Sequence, residues 1–431
     1  MSSERRVVIV DGARTPFAKA GMDLAPLSAV DLGVRAFQEA VARSGIGYED
    51  IDHIIIGNIG QPADSANIAR VVALFAGVPK RVPAFTVQRN CASGMEAIAQ
   101  GMRMIQTGEA DVIVAGGTES MTQIPFLLTE EMKGAFVTLS RGKNLAQKLQ
   151  ALLSIRPKFL KPVIAIEEGL TDPVSGMNMG QTAERIARDF GITREEQDKF
   201  ALESHKKAVA ARERLKEEIA PAYPPKMKKA VDVDVGPRDG QTMEALQKLK
   251  PYFDRRHGTV TTGNACPITD GAAMMVLMSE EKAKAEGYPI LGVIRSVQFA
   301  GCEPSRMGLG PVFSTPRALK AAGLQMKDMD LIEINEAFAA QVIGCLRAFE
   351  SKEFADKYIG KDFQGPFAVD PAKLNVNGGA IALGHPVGTS GARLVLTILK
   401  ELKRRNQQFG LATLCIGGGQ GGACVVERPA A

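Results

Sequence analysis

The sequence predicts an α/β protein made of two related halves, and three observations carry that expectation. Short β-branched runs alternate with amphipathic helical patterns along most of the chain. A segment near the start recurs near the end in the same order of glycine, acidic and apolar residues. Glycine is frequent, 44 of 431 residues, and it clusters beside cysteine and histidine, where backbone must come close to something.

In chain order, residues 7–10 read as a strand, 30–42 as a helix, and 54–56 and 85–87 as strands. Residues 92–107 read as a helix stopped by Gly108, and 112–115 as a strand. Strands alternating with helices at this spacing predict parallel sheets covered on both faces. The repeat is SGIGYEDIDHIIIGN from Ser44 against AGLQMKDMDLIEINE from Ala322, an offset of 278. It continues with Ser93-Gly94 against Ser390-Gly391, offset 297, and Gly116-Gly117 against Gly417-Gly418, offset 301. Offsets that grow along the chain are what loop insertions in the second copy produce. The expected division is residues 1–126 with 259–288 as the first half, 289–431 as the second, and 127–258 as an inserted loop domain.

The insert has a different character. Between residues 132 and 166 stand Lys133, Arg141, Lys143, Lys148, Arg156, Lys158 and Lys161, with no acidic residue. Leu145, Leu149, Leu152 and Leu153 form one apolar face of a basic amphipathic helix. A solvated helix packing on its own domain and a membrane-surface or partner-binding element fit that pattern equally. Further on, Thr193 and Glu196 spell a capping box, opening a helix whose Phe200, Ser204, Ala208, Ala211, Leu215 and Ile219 stripe is core packing.

Composition excludes several classes of function. Hydrophobic residues at 45% and charged residues at 23% rule out a disordered or fibrous chain. A net charge of +5, no Trp and five Tyr give no nucleic-acid footprint. The six cysteines form no CxxC pair and are accompanied by four His, so neither a disulfide framework nor a metal site is expected, and the thiols are expected to be reduced, as in a cytoplasmic protein. The apolar run before Asp11 is only four residues, too short for a secretory core, and the longest obvious apolar run, 272–278, is too short for a membrane span.

Four clusters could carry chemistry. Cys91 follows a strand and opens a helix, so its sulfur faces unsatisfied N–H groups that favour the thiolate. Lowering a thiol from ~8.5 to ~7 requires about 2 kcal/mol, whereas a helix terminus supplies roughly 0.3 to 1 kcal/mol. A base or a cation must therefore help, or Cys91 is a buried, inert cysteine. His385 sits in the glycine-rich loop NVNGGAIALGHPVGTSG, 375–391, where backbone and ligand can approach an imidazole able to act as a base. Cys415 ends a strand in LATLCIGGGQGG, 411–422. Residues 417–422 fit GxGxxG, but only nine residues follow Gly422, too few for a dinucleotide unit. An oxyanion hole, with each donor contributing on the order of 3 kcal/mol, is the better use of those N–H groups. Asn335, in NEAF at 335–338, either caps the next helix or holds a water in a site.

Taken together, NCASG at 90–94, AGGTESM at 115–121, GTVTTGN at 258–264, NEAF at 335–338, GHP at 384–386 and CIGGGQG at 415–421 resemble the thiolase family over nearly the whole chain. The resemblance implies two like halves in a five-layered αβαβα core and a loop domain covering coenzyme A. It also implies a homodimer or dimer of dimers. No cofactor is bound permanently; coenzyme A is a substrate. Carried over, Cys91 is the acyl-accepting nucleophile, His385 the base that takes its proton, and Cys415 the second acid/base. One oxyanion site is His385 with a water held by Asn335, and the other is the N–H groups of Cys91 and Gly417. Met179, Met307, Phe338 and Cys266 are the candidates for the acyl and pantetheine path, with plain core packing as the alternative for the Met and Phe residues.

Biosynthetic members usually have His before the Met-Gly of the loop domain, where this chain has Asn178. The basic insert and FDRRHG at 253–258 look more like the thiolase subunits of fatty-acid β-oxidation trifunctional complexes, which pair with a hydratase/dehydrogenase α subunit. Those subunits commonly carry His in place of Asn335. A degradative 3-ketoacyl-CoA thiolase is thus the expectation, with a biosynthetic acetyl-CoA acetyltransferase second. A cysteine hydrolase using Cys91, His385 and Asn335, or a non-catalytic acyl-CoA-binding relative, needs no Cys415.

Overall fold

The computed structural model describes residues 5–360 and 365–429. The opening residues 1–4 of the N-terminal stretch lie outside that range. Residues 124–171 form one compact unit, and the rest of the described chain forms another.

The larger unit is built on a ten-stranded sheet. The first half supplies β1 (Val7–Arg14), β2 (His53–Gly57), β3 (Ala84–Val87), β4 (Val112–Ser120) and β5 (Thr269–Ser279); the second supplies β6 (Gly292–Gly301), β7 (Leu331–Ile334), β8 (Phe409–Ile416) and β9 (Gln420–Glu427). Their order is β7-β8-β9-β6-β1-β5-β4-β2-β3, with the short strand Ala18–Lys19 added beside β5. The order β2-β4-β5-β1 of the first half thus reappears as β7-β8-β9-β6 in the second. The halves join where Val7, Val8 and Ile9 of β1 pair with Ile294, Val293 and Gly292 of β6.

Side-chain alternation turns these strands into layers, because successive residues of a strand face opposite ways. Val8 and Val10 of β1, Ile54 and Ile56 of β2, and Met274 and Val276 of β5 pack under α1 (Ala29–Ser44) and α2 (Ile68–Ala76). Their neighbours Val7, Ile9, Ile55, Met275 and Leu277 turn to a central layer with α3 (Ser93–Gln106) and α10 (Ser390–Arg405), numbering only the longer helices in chain order. Ala412, Leu414 and Ile416 of β8 close that layer from the other side. Leu411 and Cys415 instead face a third core with helices Gly310–Ala322 (α8) and Ala339–Glu350 (α9). The sequence of layers is αβαβα. Each fully buried Ile or Leu contributes roughly 1.5 to 3 kcal/mol, so both faces of both sheet halves are held.

The repeat found in the sequence is a structural repeat. Gly45 and Gly323 both end a helix in the left-handed region, at φ 73° and 70°, and a 3₁₀ turn and a strand follow each. Ser93 and Ser390 begin α3 and α10. The third correspondence needs correction. Ile54 pairs with Val114, and Ile332 with Leu411. The matching offset therefore stays at 297, with no further insertion. Gly116 and Gly117 lie inside β4, where a Cβ on Gly116 would fall 2.0 Å from the Ala273 carbonyl oxygen, whereas Gly417 and Gly418 lie beyond the end of β8.

Helix α6 (Met179–Asp189) precedes α7 (Arg194–Leu215), which opens on the Thr193–Glu196 capping box as expected. Ser204, Ala208, Ala211 and Leu215 are buried, but Ile219 lies beyond the helix end, in a bridge with Arg14. Within residues 124–171, α4 (Glu130–Arg141) and α5 (Leu145–Ser154) pack together around Met132, Ala135 and Ala151. Leu145 and Leu153 stay 81% and 78% exposed. The leucine face of α5 is therefore not core. Among the described residues no helix is long and apolar enough to cross a membrane.

Candidate active site

The two halves meet at the starts of α3 and α10, and glycine lets them meet closely. A Cβ on Gly94 would fall 3.0 Å from the Ala392 nitrogen, and one on Gly391 would fall 2.7 Å from the Met95 nitrogen. Backbone contact at this crossing brings the turn before α3, which carries Cys91, next to the loop before α10, which carries His385.

Cys91 stands outside its helix: α3 begins at Ser93, and Asn90 adopts φ 42°. Ser93 Oγ closes this turn, accepting the Arg89 N–H at 2.8 Å and donating to the Asn90 carbonyl at 2.8 Å. Asn90 Nδ2 reaches across to donate to the Gly417 carbonyl at 2.8 Å. The thiol is pushed up by burial, while hydrogen bonds from the Gly417 N–H and its own N–H pull it back down. This corrects the expectation that helix N–H groups favour a thiolate: the second donor comes from the turn after β8, and Cys91 rests as a thiol. Of the run 417–422, residues 417–419 are the tight turn between antiparallel β8 and β9, with Gly418 and Gly419 at φ 85° and 79°, and residues 420–422 already belong to β9.

His385 is buried, and burial, aided by the charge of Arg393, lowers its pKa to about 4. It is therefore neutral at neutral pH and free to accept a proton. Its Nδ1 lies 2.6 Å from Ser390 Oγ, and that hydroxyl donates its single hydrogen to the Pro386 carbonyl at 3.1 Å. Ser390 Oγ must then accept from Nδ1–H, which leaves the lone pair on Nε2. Nε2 faces Asn335 Nδ2 at 3.5 Å. Asn335 does not cap the next helix: α9 begins at Ala339 with Phe338 as its N-cap residue and no side-chain cap. Its Oδ1 is buried without a hydrogen-bond partner among the described residues, which suits an amide that holds a water.

Cys415 is fully buried at the end of β8, its thiol raised well above the ordinary value first by burial and then by the nearby Cys91, Cys345 and Cys266. Cys266 is raised to about 12, by burial and then by Cys91; its N–H donates to the Ala337 carbonyl at 3.0 Å, beside the bridge between Ala265 and Phe338. Met179, Met307, Phe338 and Cys415 share one apolar cluster. Met179 Sδ lies 3.4 Å from where a Cβ on Gly417 would stand. The two expected groups, Cys91 with Gly417 and His385 with Asn335, are each assembled, and Cys266, Cys415 and Met179 stand around them. Among the described residues, no three His, Cys, Asp or Glu side chains are arranged to hold a metal ion.

Sequence reasoning missed several residues that serve this site. Ser390 was visible only as half of a repeated Ser-Gly pair. Phe253, stacked edge-on against Phe338 at 5.9 Å, was visible only as part of a family-like run. Glu119, fully buried at the end of β4, left a clear signal: a carboxylate inside an otherwise uncharged strand.

Comparison with known proteins agrees with this geometry. Residues 7–281 match the thiolase N-terminal domain and residues 288–428 the thiolase C-terminal domain. The chain is 41% identical to the 3-ketoacyl-CoA thiolase of Yersinia pestis (strain Pestoides F) over 98% of its own length and 97% of that protein's. The crystal structure of the Bacillus anthracis acetyl-CoA acetyltransferase superposes with a TM-score of 0.86 at 37% identity, covering 100% of each chain. Human mitochondrial 3-ketoacyl-CoA thiolase in complex with CoA gives 0.85 at 37% identity, over 99% of this chain and 98% of that one. A duplicated five-layer scaffold, a cysteine from one half and a histidine from the other, and these full-length matches establish that the chain belongs to the thiolase family.

Proposed function

We propose that this protein is a 3-ketoacyl-CoA thiolase, cleaving 3-ketoacyl-CoA with CoA to give acetyl-CoA and a shortened acyl-CoA in fatty-acid β-oxidation. The observation that carries the reading is the hydrogen bond from Asn90, next to Cys91 in the first half, to the Gly417 carbonyl, two residues beyond Cys415 in the second, at 2.8 Å, which draws two thiols to one site where a cysteine hydrolase needs only one. His385 Nε2 takes the Cys91 proton as the sulfur attacks the 3-keto carbon. The C2–C3 bond breaks, and Cys415 gives its proton to C2 of the departing acetyl-CoA enolate. The Cys415 thiolate then takes the proton of an incoming CoA thiol, whose sulfur attacks the acyl thioester. Cys91 leaves and recovers its proton from His385. The N–H groups of Cys91 and Gly417 hold one developing oxyanion, and His385 with a water on Asn335 holds the other.

Coenzyme A enters only as a substrate, with residues 127–258 as the loop domain that covers it between halves 1–126 with 259–288 and 289–431. That insert holds 24 basic against 19 acidic residues, a balance suited to phosphates. Met179, Met307, Phe338 and Cys266 line the acyl and pantetheine path. The biosynthetic reading, condensation of two acetyl-CoA, is favoured by the likeness to the Bacillus enzyme. Initial thiolysis rates across a chain-length series separate the two: activity is expected to persist as the acyl chain lengthens, and activity on acetoacetyl-CoA alone would defeat the degradative assignment.

A homodimer or dimer of dimers fits the sheet edges. Edge strand β7 is covered by a bridge from Ile332 to Leu374, whereas β3, leading into Cys91, is partly exposed along all four residues, an edge open to a second copy. A hydratase/dehydrogenase α subunit is a further candidate, supported by the basic insert and the run at 253–258 and opposed by Asn335, where subunits with that partner commonly carry His. For residues 132–166 the reading is peripheral association of a cytoplasmic protein with an anionic membrane surface. Ten of the nineteen exposed large hydrophobic residues described fall within residues 124–171, beside the seven basic residues. With about 1 kcal/mol per basic residue near such a surface, reversing Lys143 and Lys148 to Glu is expected to weaken binding to anionic vesicles by at least about thirtyfold, with turnover of soluble substrate unchanged. Unaltered vesicle binding would leave α5 a solvated helix.

A further inference from the structure

His385 stands in an irregular loop between the short helix Ala380–Leu383 and α10, immediately after Gly384 at φ 110°. Such a loop does not by itself hold an imidazole to the fraction of an ångström that proton transfer demands. Two buried carboxylates hold it from outside, one on each side of the histidine. Upstream, the Ile381 N–H donates to Glu336 Oε2 at 3.2 Å. Glu336 also accepts from Ser204 Oγ at 2.6 Å and Asn375 Nδ2 at 2.8 Å. Downstream, the Gly388 N–H donates to Glu119 Oε2 at 2.9 Å. Glu119 also accepts the N–H groups of Ile59 at 3.1 Å and Gly60 at 2.8 Å, and Asn58 Nδ2 at 3.2 Å.

The two carboxylates come from different halves, Glu119 from the end of β4 and Glu336 from just beyond β7, next to Asn335. Their exposures are 0% and 1%. Glycine makes room for both: a Cβ on Gly388 would fall 2.6 Å from Glu119 Oε2, and one on Gly379 would fall 2.1 Å from Glu336 Cδ. The donors are neutral N–H, amide and hydroxyl groups, so each carboxylate is desolvated at a cost that hydrogen bonds only partly offset. Apolar side chains of similar volume would hold the fold at least as well. What an apolar side chain cannot do is fix two backbone N–H groups on either side of His385 by direction as well as by distance.

We infer that Glu119 and Glu336 are positioning residues, acting through Gly388 and Ile381 to hold His385 in line with Cys91. The inference rests on the reading of His385 as the base that serves Cys91. Its test is a double-mutant cycle read at the nucleophile: alkylation of Cys91 by iodoacetamide, followed by peptide mass, in the full-length enzyme. Glu119→Gln keeps the size but puts an amide NH₂ among donors. It is expected to slow Cys91 alkylation ten- to a hundredfold, with the KM for CoA in thiolysis changed less than twofold. In the His385→Asn background the same substitution is expected to cost less than twofold further, because the group it positions is gone. Glu336→Gln should behave likewise. Asn58→Ala, which removes one donor and leaves the carboxylate, should show the same pattern at a few-fold and carries the cycle if Glu119→Gln does not fold. Multiplicative losses in the double variants would overturn the clamp while leaving His385 as the base. A His385→Asn enzyme that alkylates at the wild-type rate would overturn the base, and the clamp with it.

Discussion

The crossover into α3 and the crossover into α10 are the same piece of architecture used twice, with different results. Each carries the chain from one end of its sheet half to a helix that starts with Ser-Gly, and the two helices touch through those glycines. In the first half only residues 88–92 separate β3 from the helix; in the second, residues 375–389 follow the bridge at Leu374. The short link is a turn that its own backbone and Ser93 hold, and it presents a sulfur. The longer link has room for an imidazole but not the stiffness to fix it, and it draws on Ser390, Glu119, Glu336 and Thr269, whose Oγ1 accepts the His385 N–H at 3.0 Å. Duplication supplied the frame, and the chemistry lies where the copies differ in length.

The strand ends show the same divergence, and they give the largest expected effect. At an offset of 297, Cys415 of the second half corresponds to Thr118 of the first. The Thr118 hydroxyl only donates to the Ala29 carbonyl, at 2.6 Å. Cys415→Ala is expected to lower thiolysis about a thousandfold, inside the range for loss of a general acid/base, and to leave an acyl group on Cys91 that mass spectrometry detects. Normal turnover in that variant would mean that both strand ends are structural and that the second thiol takes no part.

Most of this frame was legible in the sequence because it rests on local periodicity. The alternation of Val7, Val8, Ile9 and Val10 and the repeat at Ser44 and Ala322 fix strands and halves before any contact is known. The register of β4 against β8 was not legible, since glycine pairs at 116 and 417 look alike in sequence while only strand pairing distinguishes an interior glycine from a turn. The candidate site was legible at Cys91, His385, Cys415 and Asn335 through glycine context and family resemblance. Its supports were legible only in part: Glu119 stands out as a lone charge within its strand, but it reaches Gly388 across 269 residues, a separation that no local pattern encodes. Nor could spacing show that Gly417, rather than α3, supplies the second N–H to Cys91.

The two serines sharpen the comparison at smaller amplitude. Ser93 holds backbone to backbone, whereas Ser390 holds an imidazole by its Nδ1. Ser93→Ala is expected to cost about 1 to 3 kcal/mol of stability through the unpaired Arg89 N–H, with less than a tenfold loss of kcat. Ser390→Ala is expected to cost ten- to a hundredfold in kcat, because the ring can then turn or exchange its tautomer. The pH profile separates these further. His385 is lowered to about 4 and Glu119 is raised to about 7, each by burial, so as pH falls kcat/KM should first drop in part through about 7, as Glu119 takes a proton, and be lost fully only through about 4, where the base itself is protonated. Ser93→Ala should keep that acid limb in place while Ser390→Ala lowers the plateau. Equal losses from both serines, or complete loss of activity in the native enzyme through the ordinary histidine value near 6.5, would mean that the longer crossover holds its side chain no differently from the shorter one.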